Sequence, residues 1–173
     1  MRKRAQAQLR ALAEVASELE ASKVDYWLFG GWAVDFHAGR MTRAHDDVDV
    51  AVWFDDVSRI DRLLRDTGWT HVPSPSDDGG TGYQRGGVRL ELTFLVRRDG
   101  TVVIPLRRGD AAWPDPALEG STLELLGTSA RAMTLEALWR TKSPPRSDPD
   151  DEPKDRADSA VLSQLRAEGN VSG

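Results

Sequence analysis

The most constraining feature of this chain is an apolar segment, Val24 to Phe29, that runs straight into two consecutive glycines, Gly30-Gly31. A short stretch later stands a valine-rich segment, Val48-Asp49-Val50-Ala51-Val52, preceded by Asp47. An apolar run of this length bounded by glycine reads as a buried strand, and the alternation after Asp47 reads as a second strand. Trp32 to Ala38 fits a short helix with Gly39 as its left-handed stop. The order is therefore strand, glycine pair, helix, strand.

On the second strand, side chains alternate between the faces, so Asp47 and Asp49 project together while Val48, Val50 and Val52 enter the core. Two carboxylates about 7 Å apart repel, and a divalent cation relieves that repulsion. Magnesium prefers oxygen ligands and commonly takes one or two carboxylates plus phosphate oxygens. Glu91 is the third candidate acid. In Arg89-Leu90-Glu91-Leu92-Thr93-Phe94, Leu90, Leu92 and Phe94 share a face and Glu91 sits alone on the other, placed to bind a second metal or to accept a proton from an attacking hydroxyl. Gly30 and Gly31 let backbone N–H groups approach a phosphate, and the N-terminus of the following helix points at the same anion. Arg40 and Arg43 suit a triphosphate through bidentate contacts. Thr42 and His45 are positioning or hydrogen-bonding candidates.

Taken singly, each of these has a plainer reading: a turn for Gly-Gly, surface charge for Asp-x-Asp, a core role for Trp32, a structural role for His45, an edge-strand acid for Glu91. Their joint order points to chemistry. Competing patterns fail. The glycines match neither the dinucleotide fingerprint nor the Walker phosphate loop. Ala51 and Val52 break the calcium-loop pattern, and no G-x-S-x-G occurs.

Elsewhere the periodicity predicts a helix over 2–22, with Ala5, Leu9, Leu12, Ala16 and Leu19 on one face. Asp55 or Asp56 is placed to cap a helix whose stripe is Val57, Ile60, Leu63 and Leu64, ended by Gly68. Strands are expected at 69–72, 88–96, 101–106, 122–126 and 130–133, with a hairpin turn at Asp99-Gly100 and a polar loop over 73–80. Thr134 caps a helix reaching Lys142. Residues 143–153, rich in proline and aspartate, read as a loop. Pro153 opens a last helix with Ala157, Val161, Leu162 and Leu165 inward and Gly169 past its end. The expected fold class is α+β (mixed α/β), a small mixed sheet flanked by helices. Residues 1–133 form its core, and 134–173 a C-terminal helical segment packed on that core as one domain.

The 173 residues suffice for a real core, and the absence of cysteine excludes disulfides, thiolate metal sites and cysteine nucleophiles. No apolar run approaches the roughly 18 residues needed to span a bilayer, and no secretory leader is seen. The expectation is a cytoplasmic protein without membrane contact. A net charge of −5 disfavours nucleic acid as a partner and weakly favours a cationic small molecule.

The stretch Asp25-Tyr26-Trp27-Leu28-Phe29-Gly30-Gly31-Trp32-Ala33-Val34-Asp35, with Gly39-Arg40-Met41-Thr42-Arg43-Ala44-His45-Asp46-Asp47-Val48-Asp49, resembles the antibiotic nucleotidyltransferases. The nearest groups are the aminoglycoside 2''-adenylyltransferases and the small lincosamide nucleotidyltransferases, both within the polymerase-β-like superfamily. The resemblance is strong over 25–53 and continues more weakly to about residue 95. Beyond that it rests on chain length and on the helix start Pro153-Lys154-Asp155-Arg156-Ala157-Asp158. It implies the nucleotidyltransferase fold, with ATP and two magnesium ions bound beside the glycine pair. Asp47, Asp49 and Glu91 would be the catalytic, metal-binding carboxylates, and Gly30, Gly31, Arg40, Thr42, Arg43 and His45 would form the nucleotide site. It further implies transfer of AMP to an antibiotic hydroxyl with release of pyrophosphate. Aspartate is frequent where this chain has Glu91, and glutamate is a longer arm. An aminoglycoside is the expected acceptor, in a monomer or weak homodimer. The acidic run Asp148-Pro149-Asp150-Asp151-Glu152 is either a solvated loop or an attraction for that cation. The alternatives are a lincosamide acceptor, a protein or tRNA acceptor on the same fold, and a non-catalytic nucleotide-binding module.

Overall fold

The computed structural model describes residues 2–74, 77–114, 116–142 and 152–171. The predicted loop over 143–153 therefore lies almost wholly outside the described residues, as does the acidic run but for Glu152.

The chain opens with helix α1 (Arg2–Ala21), followed by strand β1 (Tyr26–Phe29), helix α2 (Gly30–Ala38) and strand β2 (Val48–Trp53). Helix α3 (Val57–Asp66) and strands β3 (Thr70–His71), β4 (Gly80–Arg85), β5 (Val88–Arg98), β6 (Thr101–Ile104) and β7 (Ala111–Ala112) come next. A hairpin of β8 (Thr122–Leu125) and β9 (Thr128–Arg131) leads to helices α4 (Leu135–Lys142) and α5 (Glu152–Val171).

The main sheet runs β1-β2-β5-β4-β3, with β6 on the far half of β5 and β7 beyond it. β2 and β5 pair in parallel, while β1–β2, β4–β5 and β3–β4 are antiparallel. This is the mixed sheet the alternation of elements predicts. The β8–β9 hairpin hangs on the β1 edge through Leu28 and Ala132, reinforced by Met133 N–H donating to Leu28 O at 2.9 Å.

One sheet face is almost wholly apolar. Tyr26, Leu28, Val48, Val50, Val52, Leu90 and Leu92 are all buried there. The α1 stripe of Ala5, Leu9, Leu12, Ala16 and Leu19 is buried as its spacing predicts. At about 25 cal/mol per Å² of apolar surface removed from water, burial of this kind is the main force closing the domain.

Several local expectations are met. Gly39 ends α2 with φ +63°, Gly68 takes φ +86° after α3, and Asp99-Gly100 turns β5 into β6. Thr134 Oγ1 accepts from Ala137 N–H at 3.3 Å, the predicted cap of α4. Others are corrected. Neither Asp55 nor Asp56 caps α3 through its side chain, because a 3₁₀ turn over Phe54–Asp56 leads into the helix instead. The predicted polar loop ends at Gly80, where β4 begins. This strand, Gly-Thr-Gly-Tyr-Gln-Arg, is poor in the β-branched and aromatic residues that signal strands. Its clearest signal was the following Gly86-Gly87, both at positive φ. Such a glycine pair makes a two-residue hairpin turn, here into β5. Finally, α5 starts at Glu152 and continues through Gly169 to Val171. Ala157 is exposed, while Asp155 and Asp158 take buried positions.

Candidate active site

The site begins with sheet register. Phe29, Asp49, Glu91 and Gly82 are successive neighbours across β1, β2, β5 and β4. Paired residues on adjacent strands point to one face, so Asp49 and Glu91 stand side by side opposite the valine core. The parallel β2–β5 pairing achieves what the sequence could not specify, because α3, β3 and β4 separate the two acids along the chain. Gly82 leaves open the space that the Glu91 carboxylate fills. Arg89 lies on the same face two residues before Glu91 and ion-pairs with it. Glu91 is thus not alone on its face, as the sequence suggested. Its carboxylate raises the pKa of Arg89 through that hydrogen bond and its charge.

Beside the sheet, the chain turns from β1 into α2 at Gly30. This residue has φ +67°, and a Cβ there would overlap the Asp49 carboxylate. At Gly31 a Cβ would overlap Arg43 Nη2 and His45. Glycine is required at both positions by contact, and the helix includes both rather than starting at Trp32. The start of α2 therefore lies against Asp49, Arg43 and His45.

A cleft of about 180 Å³ occupies this corner. Gly30, Gly31, Arg43, His45, Asp47 and Asp49 line it, as the sequence reading expects of a common site. Lys142, Lys154 and Asp155 line it from the C-terminal helices. The sequence reading does not place these three in the site: Lys142 enters it only as the end of a helix, and Lys154 and Asp155 only as part of the Pro153-Lys154-Asp155 helix start. Arg40 and Thr42 fall outside the lining: Arg40 is exposed, and Thr42 bonds to Asp35 through its amide (2.9 Å) and its hydroxyl. Glu91 is also outside the lining.

Asp35 organises the loop between α2 and β2. Fully buried, it accepts from Thr42 and from His45 Nε2 at 2.7 Å, and His45 packs against the Trp32 ring. Gln8 of α1 donates to His45 O at 3.2 Å. On the other side Asp158 accepts from Arg43 Nε at 2.7 Å and Nη2 at 2.8 Å. Lys142 Nζ lies 2.8 Å from Asp155 and 3.0 Å from Asp158. Burial pushes the Asp158 carboxyl up, but the Arg43 bond and the Lys142 charge outweigh it and hold it below its ordinary value. At the rim, a Lys154 bond lowers the Asp46 carboxyl.

Among the described residues no group of three or more His, Asp or Glu side chains is arranged as a metal site. The donor chemistry still fits magnesium. Asp47 and Asp49 are oxygen donors lining one cleft, and this cation ordinarily completes its shell with water and phosphate.

A family model for aminoglycoside-2''-adenylyltransferase matches residues 11–162. The chain belongs to that family. Among curated relatives, a lincosamide resistance protein of Staphylococcus haemolyticus is 38% identical over 50 residues, 29% of this chain and 31% of that protein. A 2''-aminoglycoside nucleotidyltransferase of Klebsiella pneumoniae is 35% identical over 43 residues, 25% of this chain and 24% of that one. These alignments span less than a third of the relatives' length. The fold match is broader. ANT(2'')-Ia in complex with adenylyl-2''-tobramycin superposes with TM-score 0.65 at 18% identity, covering 94% of this chain and 98% of that one. The lincomycin-bound lincosamide adenylyltransferase LnuA gives 0.65 at 20%, covering 85% and 90%. The chain has the nucleotidyltransferase fold. No described helix is long and apolar enough to cross a membrane.

Proposed function

We propose that this member of the family transfers AMP from ATP to a hydroxyl of an aminoglycoside, with magnesium and release of pyrophosphate. The observation that carries the reading is the cleft in which Asp47 and Asp49 face the Gly30-Gly31 helix start and the cations Arg43, Lys142 and Lys154. Acids alone would repel a polyphosphate, and cations alone would bind any anion. Their juxtaposition suits a metal-chelated triphosphate, and the cleft volume suits its phosphate chain rather than the whole nucleotide.

In this reading the α2 amides, Arg43, Lys142 and Lys154 hold the phosphates. Asp47 and Asp49 hold magnesium, which when bound supplies charge neutralisation at the phosphoryl oxygens. Glu91, beside Asp49 on the sheet face, takes the acceptor proton as the hydroxyl oxygen bonds to the α-phosphorus. The bond from that phosphorus to the bridging oxygen breaks, and pyrophosphate leaves. Catalysis is then mostly positioning and electrostatics. His45 and Thr42, tied to Asp35, shape the loop, and Arg40 acts only at long range.

The test is pyrophosphate release from Mg·ATP with a panel of aminoglycosides, with lincomycin included because of the Staphylococcus relative. Release with tobramycin or a similar aminoglycoside, lost by ~10³-fold or more in Asp49→Asn at unchanged melting temperature, is the expected result. Release with lincomycin alone would move the acceptor to the lincosamides. Silence across the panel would reject an antibiotic acceptor.

A further inference from the structure

The cations of the cleft are backed by a carboxylate that the proposed chemistry does not use. Asp158 is fully buried, and its two oxygens take the Nε–Nη2 edge of Arg43 at 2.7 and 2.8 Å. Arg43 Nη1 donates to Ala44 O at 3.0 Å, and Nη2 lies against Gly31. A guanidinium is planar and has one other bidentate edge, between Nη1 and Nη2. With the first edge clamped, the direction of the second is set by α5.

We propose that Asp158 is a positioning residue for the nucleotide: it locks Arg43 so that the outer end of the guanidinium faces the Gly30-Gly31 turn. This rests on the nucleotide reading above and adds a part of the site drawn from the last helix. The sign of the effect separates it from a general charge effect. Removing a negative charge near a phosphate site strengthens anion binding if field alone matters. Removing a positioning group weakens it.

The experiment uses the full chain and its Asp158→Asn, Arg43→Ala, Arg43→Lys and combined Asp158→Asn/Arg43→Ala variants. The dissociation constant of a nonhydrolysable ATP analogue with magnesium is measured by calorimetry, KM and kcat are measured with an acceptor the parent turns over, and melting is followed without nucleotide. Asp158→Asn raises Kd and KM for the nucleotide ~10-fold while kcat stays within ~3-fold. Arg43→Lys, which keeps charge but loses the fork, gives a similar rise. Added to Arg43→Ala, Asp158→Asn changes Kd less than ~2-fold, because it acts through Arg43 while Asp155 still holds Lys142. Parental or tighter nucleotide binding by folded Asp158→Asn overturns the proposal, as do multiplying effects in the double variant. If Asp158→Asn does not fold, parental binding by Arg43→Lys overturns it equally. Absence of nucleotide binding by the unaltered chain rejects the nucleotide reading itself. Binding by the unaltered chain with no loss in the variants rejects only the role of Asp158.

Discussion

Helices α1 and α5 have the same length, 20 residues each, and stand at opposite ends of the described chain, yet they dock by opposite means. The inward face of α1 is Ala5, Leu9, Leu12, Val15, Ala16 and Leu19, all buried. Near its start, α5 buries Asp155 and Asp158, with Leu162 the apolar residue one turn on. α1 is held by apolar area and forms part of the scaffold. The start of α5 is held by Arg43 and Lys142, two cations that also line the cleft. The contrast teaches that α1 docks mainly through apolar area and meets the cleft loop only at its polar edge, where Gln8 bonds His45 O, while α5 docks through cations of the cleft itself.

The strongest way to break this comparison is Lys142→Met. Loss of the lysine leaves Asp155 and Asp158 buried with less compensation. Destabilisation of about 4 kcal/mol is expected in urea unfolding. A neutral result would show that the α5 seam is no different from an apolar one. Leu12→Ala in α1 is expected to cost about 3 kcal/mol, with nucleotide KM unchanged in the folded fraction. A shifted KM would couple α1 to the site and erase the distinction.

Acid sharpens it further. The native Asp158 carboxyl lies below its ordinary value. Its contribution to stability is therefore present above the unfolded-state pKa and is lost as pH falls through the native one. Unfolding free energy measured from pH 7 down to pH 3 is expected to fall less in Asp158→Asn than in the parent, while Leu12→Ala falls in parallel with the parent. The smallest effect is expected on the outer face of α5, where Glu152 and Arg156 form an exposed pair. Breaking it with Arg156→Ala is expected to change the urea midpoint barely at all, a stability difference of about 0.5 kcal/mol at most.

The legibility of the sequence divides along the same line. The α1 stripe, the valine strand and the turns at Gly39, Gly68 and Asp99-Gly100 were readable because each is a local pattern of period or glycine. β4 was missed because Gly80 and Gly82 weaken its strand signal. That Gly30, Gly31, Arg43, His45, Asp47 and Asp49 share one cleft was legible since those residues share one short stretch of chain. Lys142 and Lys154 were not, because α4 and α5 carry no pattern that names their partner. Arg40 and Thr42 lie outside the cleft lining, and nothing local in the sequence shows that Asp35 draws Thr42 into the loop.

The sequence by itself determined most of the elements, the face on which Asp47 and Asp49 stand, and the family. These follow from short-range spacing, and a strand's alternation or a helix's period is complete within a few residues. Only the tertiary structure decided that Glu91 stands beside Asp49, and that Asp158 of the last helix grips Arg43 of the α2–β2 loop. Strand register and ion-pair choice depend on which distant groups the folded core brings together, and a buried charge is tolerated only where such a partner has arrived.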